Sequence, residues 1–323
     1  MDKKVLTWLI NSYPEVEYRT RLDLLNHCED KDEVMDAKKR MLSSTLIREV
    51  LTELEKWPGH VINSHKSAGQ LFHKISFIAE LGFKSTDANI GEIIARMLDN
   101  ISDEGIIQLP TNISKAYGGT GSDSWAWALC DAPLNLYSLI KLGYREDERI
   151  INGVKYLKTL VRSNGWPCIV SKELGKFHGP GKKDDPCPYA TLMMLKLLSE
   201  FNEYIDSSEI KTGIDTICDL WMRSKETHPY MFYMGNDFRK LKAPLIWYDI
   251  LHVLEVITRF PYSWDKKQVK EMLKTVLSKK NPEGKYIPES IWMEWKGWDF
   301  GQKKEPSPYL TYLILRILKR AGS

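Results

Sequence analysis

The chain has 323 residues, 43% of them hydrophobic and 28% charged, which is enough apolar sequence for one large or two average buried cores. Its 46 basic and 43 acidic residues leave a net charge of only +3, which argues against a nucleic-acid partner. No apolar run approaches the roughly 18 residues of a membrane-spanning helix. The N-terminus also lacks the small-residue cleavage site of a secretory signal, so we expect no integral membrane segment.

The five cysteines are odd in number and widely spaced along the chain. This spacing does not indicate a disulfide framework, so we expect reduced thiols and a cytoplasmic protein. No metal signature as tight as two paired C-x-x-C motifs is present.

Helical periodicity dominates from the N-terminus onward, where we predict helices at 2–12, 15–27 and 31–56. Five later segments are apolar on nearly every face, as is typical of buried helices: 71–83, 132–144, 189–201, 244–260 and 309–320. Amphipathic segments alternate with them: 87–100, 147–161, 208–223 and 266–279. Extended runs with strict alternation are absent, so the sequence predicts an all-α protein.

The order of these segments repeats. "ELGFKSTDANIGEIIARMLDNISDEG" (80–105) and "KLGYREDERIINGVKYLKTLVRSNG" (141–165) share a Leu-Gly-aromatic start, an acidic turn and a final glycine turn, which recurs in "NPEGKY" (281–286). A period of roughly 50 to 65 residues is typical of stacked helical hairpins. Because the apolar helices need packing on every side, we predict one domain, 1–323, folded as a closed (α/α)6 toroid. An open superhelix is the alternative. Residues 57–323 form the repeat region, and 1–56 complete or cap the ring.

The turns "SDEGIIQLP", "SNGWPC" and "NPEGKYIPESIW" are similar to the Gly-aromatic repeats of squalene-hopene cyclases and protein prenyltransferase β-subunits. Over roughly residues 55–320 the chain resembles the prokaryotic, squalene-hopene-cyclase-like branch of this terpenoid cyclase/prenyltransferase-like superfamily. The resemblance implies an α/α toroid, whereas a shared fold does not by itself imply a shared reaction.

Basic residues and a proline precede three of the predicted inner helices, in "GKKDDP", "FRKLKAP" and "GQKKEPSP". In a toroid these helices run in one direction, so their N-termini and positive dipole ends meet at one mouth. We predict that these residues, with His65, bind an anionic head group such as phosphate, diphosphate or carboxylate. Solvated loop lysines are the alternative. The basic residues are Lys182, Lys183, Arg239, Lys240, Lys242, Lys303 and Lys304.

Aromatic residues also concentrate at or just before the predicted inner helices. In a funnel they would form an apolar, π-rich wall that suits a hydrocarbon substrate or stabilises a cation. Ordinary packing between repeats is the alternative. The residues are Trp125, Trp127, Trp247, Tyr248, Trp292, Trp295 and Trp298.

Carboxylates, thiols and imidazoles occupy the same helix starts, and we predict that they share the cavity and move protons. Burial raises a carboxyl pKa and nearby lysines lower it, so differing environments would separate acids from bases. A thiol beside lysines would likewise ionise more readily. The candidates are Asp184, Asp185, Cys187, Tyr189, Asp249, His252, Cys130, Asp131 and His178.

The family resemblance adds two expectations. Class II terpene cyclases protonate their substrate with a D-x-D-D motif, and "KKDDPCPY" keeps only two aspartates, which implies Asp184 or Asp185 as a milder acid. Prenyltransferases hold zinc through a D-x-C pair and a later histidine. The matching residues here imply an alternative zinc site of Asp185, Cys187 and His252.

Together these features predict a metal-independent, cofactor-free enzyme of the terpenoid-cyclase type. It would cyclise, isomerise or dehydrate an isoprenoid-like small molecule with an apolar body and an anionic head. Three alternatives remain: zinc-dependent prenyltransferase-like group transfer, a non-catalytic toroid that binds a ligand or protein, and a carbohydrate-active toroid with two carboxylates flanking a cleft.

Overall fold

The computed structural model describes residues 2–177, 182, 184–224, 226 and 232–322. This part of the chain is mostly helical, which confirms the all-α prediction. No helix within it is long and apolar enough to cross a membrane.

Six helices form an inner ring. From α5 to α14 each inner helix packs on the next one along the chain, and α14 packs on α2. In the three central ones every residue is buried, because each helix contacts its two ring neighbours and an outer helix. The inner helices are α2 (Pro14–Arg19), α5 (Leu71–Glu80), α7 (Ala132–Leu139), α9 (Pro188–Leu198), α11 (Ile250–Ile257) and α14 (Pro308–Arg320).

The remaining helices surround this ring. They bury residues three or four apart, for example Ile90, Ile93 and Met97, and expose the opposite face, as the amphipathic pattern predicts. The outer helices are α1 (Lys3–Ile10), α3 (Asp32–Ser43), α4 (Thr45–Leu54), α6 (Ile90–Leu98), α8 (Glu148–Thr159), α10 (Ser208–Met222), α12 (Pro261–Trp264) and α13 (Lys267–Leu277).

The ring closes through the N-terminal part of the chain. The last helix, α14, packs on α2 and on the π-helical turn Thr20–Leu24 that continues it. Gly82, just after α5, lies against the side chains of Tyr18 and Arg19. Residues of the first 56 therefore stand between the first and last helices of the repeat region, in an (α/α)6 toroid.

The backbone conformation of the repeat turns explains why glycine recurs in them. Gly105, Gly165 and Gly284 all adopt positive φ, between 83° and 103°, a region that side chains with a Cβ rarely occupy. At Gly105 a Cβ would also lie 2.0 Å from the Arg149 carbonyl oxygen of the outer helix α8. The recurring glycine thus lets the chain turn tightly against an adjacent helix.

Two local features differ from the sequence prediction. Residues 244–249 are not helical, because Asp249 caps α11 and the helix begins only at Ile250. A two-stranded antiparallel sheet pairs β1 (Leu109–Thr111) with β2 (Ser124–Ala126). Strands of three residues are too short to show an alternating pattern, so the sequence contains no sign of them.

The carboxyl-terminal ends of the inner helices meet in a buried set of charges, which we call the basal ion cluster. Glu80 accepts hydrogen bonds from Tyr137 and Arg259, and the Lys196 ammonium lies 3.1 Å from its carboxylate. Glu255, fully buried, binds Arg259 at 2.9 Å. The cluster comprises Asp23, Glu80, Lys196, Glu255, Arg259, Arg316 and Arg320.

Through its members and the Tyr137 hydroxyl of α7, which donates to Glu80, the basal ion cluster connects all six inner helices. Arg316 of α14 contacts Glu255 of α11 at 3.1 Å and Asp23, beyond α2, at 3.7 Å. Burial alone would raise the pKa of Glu255, but the surrounding arginines hold it well below its usual range. The carboxylates are therefore ionised, and each buried charge depends on its partners.

Glu255→Gln is expected to lower the free energy of unfolding by about 3–5 kcal/mol at neutral pH, because it leaves buried arginines without their shared carboxylate. Urea unfolding measures this loss, with the exposed Glu283→Gln as a control that changes stability little. A carboxyl with a lowered folded-state pKa stabilises above its unfolded pKa, ordinarily 4.5, and loses that contribution as the pH falls. The two proteins should therefore converge in stability in acid. A variant as stable as the parent at pH 7 would contradict this role of the cluster.

Candidate functional site

A cavity of about 420 Å³ lies at the amino-terminal ends of the inner helices, away from the basal ion cluster. Its lining is mostly apolar, and no carboxylate belongs to it. The described lining residues are Ile62, Asn63, His65, Thr111, Asn112, Ile113, Ser114, Tyr117, Ala128, Cys130, Cys168, Val170, Phe177, Cys187, Phe232 and Trp247.

Loops that are hydrogen-bonded to one another form the wall of the cavity. The Ile62 N–H donates to the Pro110 carbonyl at 2.8 Å, and the Asn112 N–H donates back to the Ile62 carbonyl at 3.1 Å. On the other side, Ala128 pairs with Val170 in an isolated bridge. These bonds satisfy the backbone of long loops and fix the cavity wall.

Three successive inner helices place an N-cap residue near the cavity: Asp131 for α7, Cys187 for α9 and Asp249 for α11. Together with Cys130, their charges act on the phenol of Tyr189, whose pKa is raised first by burial and then by these groups. The helix starts therefore converge on one region, because all six inner helices run in the same direction.

His65 is held by a buried carboxylate. Its Nε2 lies 2.6 Å from Oδ2 of Asp131, which is fully buried, while the imidazole itself lines the cavity. The His65 carbonyl in turn accepts a hydrogen bond from the ring of His73 at 2.8 Å. A carboxylate in this position fixes the ring orientation and stabilises the imidazolium, as proton-transfer chemistry requires.

Asp249 is a second acid–base group beside the cavity wall. Its Oδ1 accepts the N–H groups of Leu251 and His252, each at 3.0 Å. Its buried Oδ2 has no hydrogen-bond partner among the described residues. Burial raises the pKa of Asp249 to about 7, so the neutral acid is well populated near neutral pH.

Two predicted proton carriers lie behind the cavity and do not line it. His252 is fully buried and donates from Nδ1 to the Trp247 carbonyl at 2.9 Å; burial lowers its pKa to about 3, so it is neutral. The hydroxyl of Tyr189 donates to the Ile246 carbonyl at 2.8 Å, and its ring packs on Trp247. These side chains position the wall that carries Trp247.

The predicted place of the "KKDDP" segment is corrected. Asp185 and Lys182 line a separate polar pocket beside α10, and Asp184 is exposed. Within the described residues no three His, Cys, Asp or Glu side chains are placed to hold one metal ion. The structure therefore does not bring Asp185, Cys187 and His252, the residues of the alternative zinc site, together around one point. Lys183 and His178 lie outside the described residues.

The expected basic mouth is also corrected, because His65 lines the cavity but none of the described lysine and arginine candidates does. Arg239 stacks on Trp221, Lys240 pairs with Asp237, and Lys303 and Lys304 are exposed on a turn. Lys242 covers the ring of Trp292, and burial lowers its pKa to about 8. Each cation is held by its own loop, so a recurring position before the helices does not bring the side chains together.

Among the predicted aromatic residues, only Trp247 lines the cavity. Trp295 and Trp298 pack around Phe77 in the core between repeats, and Tyr248 packs against Phe232. Trp127 faces a surface cleft, Trp125 is exposed on β2, and Trp292 donates to the Pro244 carbonyl. Trp295 and Trp298 thus take the positions that ordinary packing between repeats predicts, whereas the exposed Trp125 fits neither a cavity wall nor core packing.

Sequence reasoning missed the wall formed by residues 109–117 and the part played by Cys168. The first belongs to the unpredicted sheet and the loop after it, whose residues carry no motif. Cys168 lies in "SNGWPC", at a repeat turn, and its proximity to Cys130 and Cys187 follows only from ring stacking. The available indication in the sequence was that cysteines lie in the connections that precede two successive inner helices, α7 and α9.

No family model and no curated protein matches the sequence. Solved structures that the chain is similar to include the type II terpene cyclase MstE from Scytonema. A variant of it in complex with geranylgeranyl dihydroxybenzoate is 10% identical and has a TM-score of 0.46, covering 96% of this chain and 87% of that one. A protein from Actinoplanes is 11% identical with a TM-score of 0.44, over 96% and 90% of the two chains.

Asp249→Asn is expected to become more stable relative to the parent as the pH rises from 5 to 8. The difference between their free energies of unfolding should change by about 2–3 kcal/mol over this range. A carboxyl with a raised folded-state pKa stabilises fully below its unfolded pKa and loses that contribution as the pH rises through its folded value, here about 7. Asparagine keeps the oxygen that caps α11 and cannot ionise. Urea unfolding at the two pH values measures the difference, with the exposed Asp265→Asn as control. Parallel stability profiles for Asp249→Asn and the parent would refute the raised pKa.

Proposed function

We propose that the protein is an enzyme that binds a small, largely apolar, isoprenoid-like molecule in the 420 Å³ cavity and moves a proton next to a carbonyl group. The observation that carries the proposal is the His65–Asp131 pair at 2.6 Å, with its imidazole facing an apolar cavity. Isomerisation, cyclisation or dehydration of a polarised substrate is the corresponding reaction class.

The size and lining of the cavity support the binding part of the proposal. Ligand-binding pockets of drug-sized molecules span roughly 300–1,000 Å³ and are lined mainly by apolar and aromatic residues with a few polar groups. Here Trp247, Phe232 and Phe177 supply aromatic surface, and Asn63, Asn112 and Ser114 supply polar atoms. The predicted anionic head has no described lysine or arginine in the lining, so a neutral polar head fits better.

The acid–base groups support the choice of reaction. An imidazole exchanges protons near neutral pH, which suits removal of a proton from carbon beside a carbonyl and its return at a conjugated position. Protonation of an isolated alkene needs a far stronger acid than an imidazolium. Asp131 would pair with the imidazolium formed by proton removal, and the polar side chains of the lining, Asn63, Asn112 and Ser114, would donate a hydrogen bond to the developing enolate oxygen.

A non-catalytic ligand-binding toroid is the second candidate, since the same cavity would serve it. The two differ in whether a bound ketone exchanges its protons. The carbohydrate-active alternative has no support from the described cavity lining, which contains no carboxylate pair.

Binding is tested with farnesol and farnesyl diphosphate by calorimetry. Farnesol is expected to bind, and Trp247→Ala to weaken it by about tenfold or more, because part of the apolar wall is lost. Trp264→Ala is the matched control, since Trp264 lies on the exposed face of α12. Equal affinity in both variants would place the ligand elsewhere. Preference for the diphosphate would restore the predicted anionic head.

Proton transfer is tested with geranylacetone in deuterated buffer by NMR. The parent is expected to speed deuterium exchange beside the carbonyl, and His65→Gln to slow it by about 100-fold or more. His60→Gln, in the same loop but outside the cavity lining, is the control. Binding of the ketone without any exchange would favour the non-catalytic toroid over the enzyme.

A further inference from the structure

Three cysteines from two successive connections between repeats line the cavity together. Cys130 precedes α7, Cys168 lies in the turn after α8, and Cys187 caps α9. All three line the cavity, and none forms a disulfide. These three cysteines are not part of the proposed proton-transfer pair, His65 and Asp131.

The three thiols are not equivalent. The Sγ of Cys187 accepts the Ala190 N–H at 3.4 Å, at the positive end of an 11-residue helix. Hydrogen bonds from the Cys130 and Cys168 thiols, and then from this helix end, hold the pKa of Cys187 well below its usual range despite burial. The Cys130 thiol, as a donor in this arrangement, has a raised pKa.

We infer that Cys187 is a nucleophile that forms a covalent adduct with an apolar α,β-unsaturated ketone or aldehyde bound in the cavity. The geometry supplies each part: a sulfur atom that accepts a helix N-terminal N–H, two further thiols in the same cavity lining and an apolar space in front of them. A soft, uncharged electrophile suits this lining better than a charged one.

Groups on the protein supply both the nucleophile and the proton that the addition step requires. The Cys187 thiolate forms a carbon–sulfur bond to the β-carbon, the carbon–carbon π bond breaks, and its electrons move to give the enolate. The Cys130 thiol then donates its proton to the α-carbon and becomes a thiolate. No oxidant or reductant is needed, and the reverse sequence releases the electrophile.

The surroundings of the three cavity cysteines distinguish Cys187 from the other thiols of the chain. The titratable groups around it are Tyr189, Asp131, Asp249 and His65, with no described lysine in the lining. Cys218 on α10 is buried away from the cavity, and burial raises its pKa to about 12. Cys28 is exposed near the N-terminus. The chain thus carries its own inert and solvent-exposed comparison thiols.

The experiment follows adduct formation by intact-mass spectrometry with (E)-3-nonen-2-one, in a Cys28→Ser background that removes the exposed thiol. One adduct per chain is expected, mapped to Cys187 by peptide mass, and abolished in Cys187→Ser but kept in Cys218→Ser. Between pH 8 and pH 6 the rate should change little, whereas the reaction of an unperturbed thiol slows about tenfold per pH unit below its pKa.

A paired substitution separates reactivity from folding. Cys130→Ala removes a thiol donor and should slow addition at pH 6 by about tenfold, whereas Cys130→Ser keeps a donor and should react more like the parent. Circular dichroism and thermal melting verify that each variant is folded. Addition at the same rate in Cys187→Ser, or adducts only at other sites, would overturn the inference.

The inference depends on the proposed function only for its cavity, and the two fail separately. If geranylacetone exchanges its protons but the enone leaves no adduct, the nucleophile assignment is wrong and the enzyme proposal stands. If the enone labels Cys187 while farnesol and geranylacetone neither bind nor exchange, the acid–base proposal is wrong and the nucleophile stands.

Discussion

The structure depends most on the buried charges that tie together the carboxyl-terminal ends of the inner helices. Glu255 sits among Arg259, Arg316 and Arg320, and Glu80 joins Lys196 and Arg259, so no inner helix can turn or slide without leaving a buried charge unpaired. Apolar packing alone would tolerate several registers between such uniformly hydrophobic helices. The cluster selects one register, because each charge has partners on neighbouring helices.

The basal ion cluster, at the carboxyl-terminal ends of the inner helices, also determines how their amino-terminal ends are arranged. With the carboxyl-terminal ends joined, the amino-terminal ends of α7, α9 and α11 are held together, and their N-cap residues Asp131, Cys187 and Asp249 converge. The long loops that lead into these helices then enclose a space that no inner helix fills. A single arrangement thus produces a rigid, charged base and an apolar cavity with polar groups at its edge.

The sequence predicts the ring well, because uniform apolar helices, amphipathic partners and recurring glycine turns are local patterns. It also indicates the importance of Asp131 and Cys187, since each comes just before a predicted inner helix, whereas Asp249 falls inside the predicted helix 244–260 and its capping position follows only from the structure. The sequence does not show which pocket a side chain faces. Asp185, for example, is only two residues before Cys187, yet it lines the outer polar pocket. The basal charges, such as Lys196 and Glu255, stand out as isolated charges in apolar helices, but their partners come from distant repeats.

A crystal structure of the protein grown with farnesol tests the central claim most directly, because it locates the ligand without assuming a reaction. The account predicts electron density for the chain in the cavity, between Trp247 and Phe177, with its hydroxyl toward the polar edge near His65 and Asn63. Density confined to the outer polar pocket around Lys182 and Asp185, or an empty cavity at saturating ligand, would contradict it.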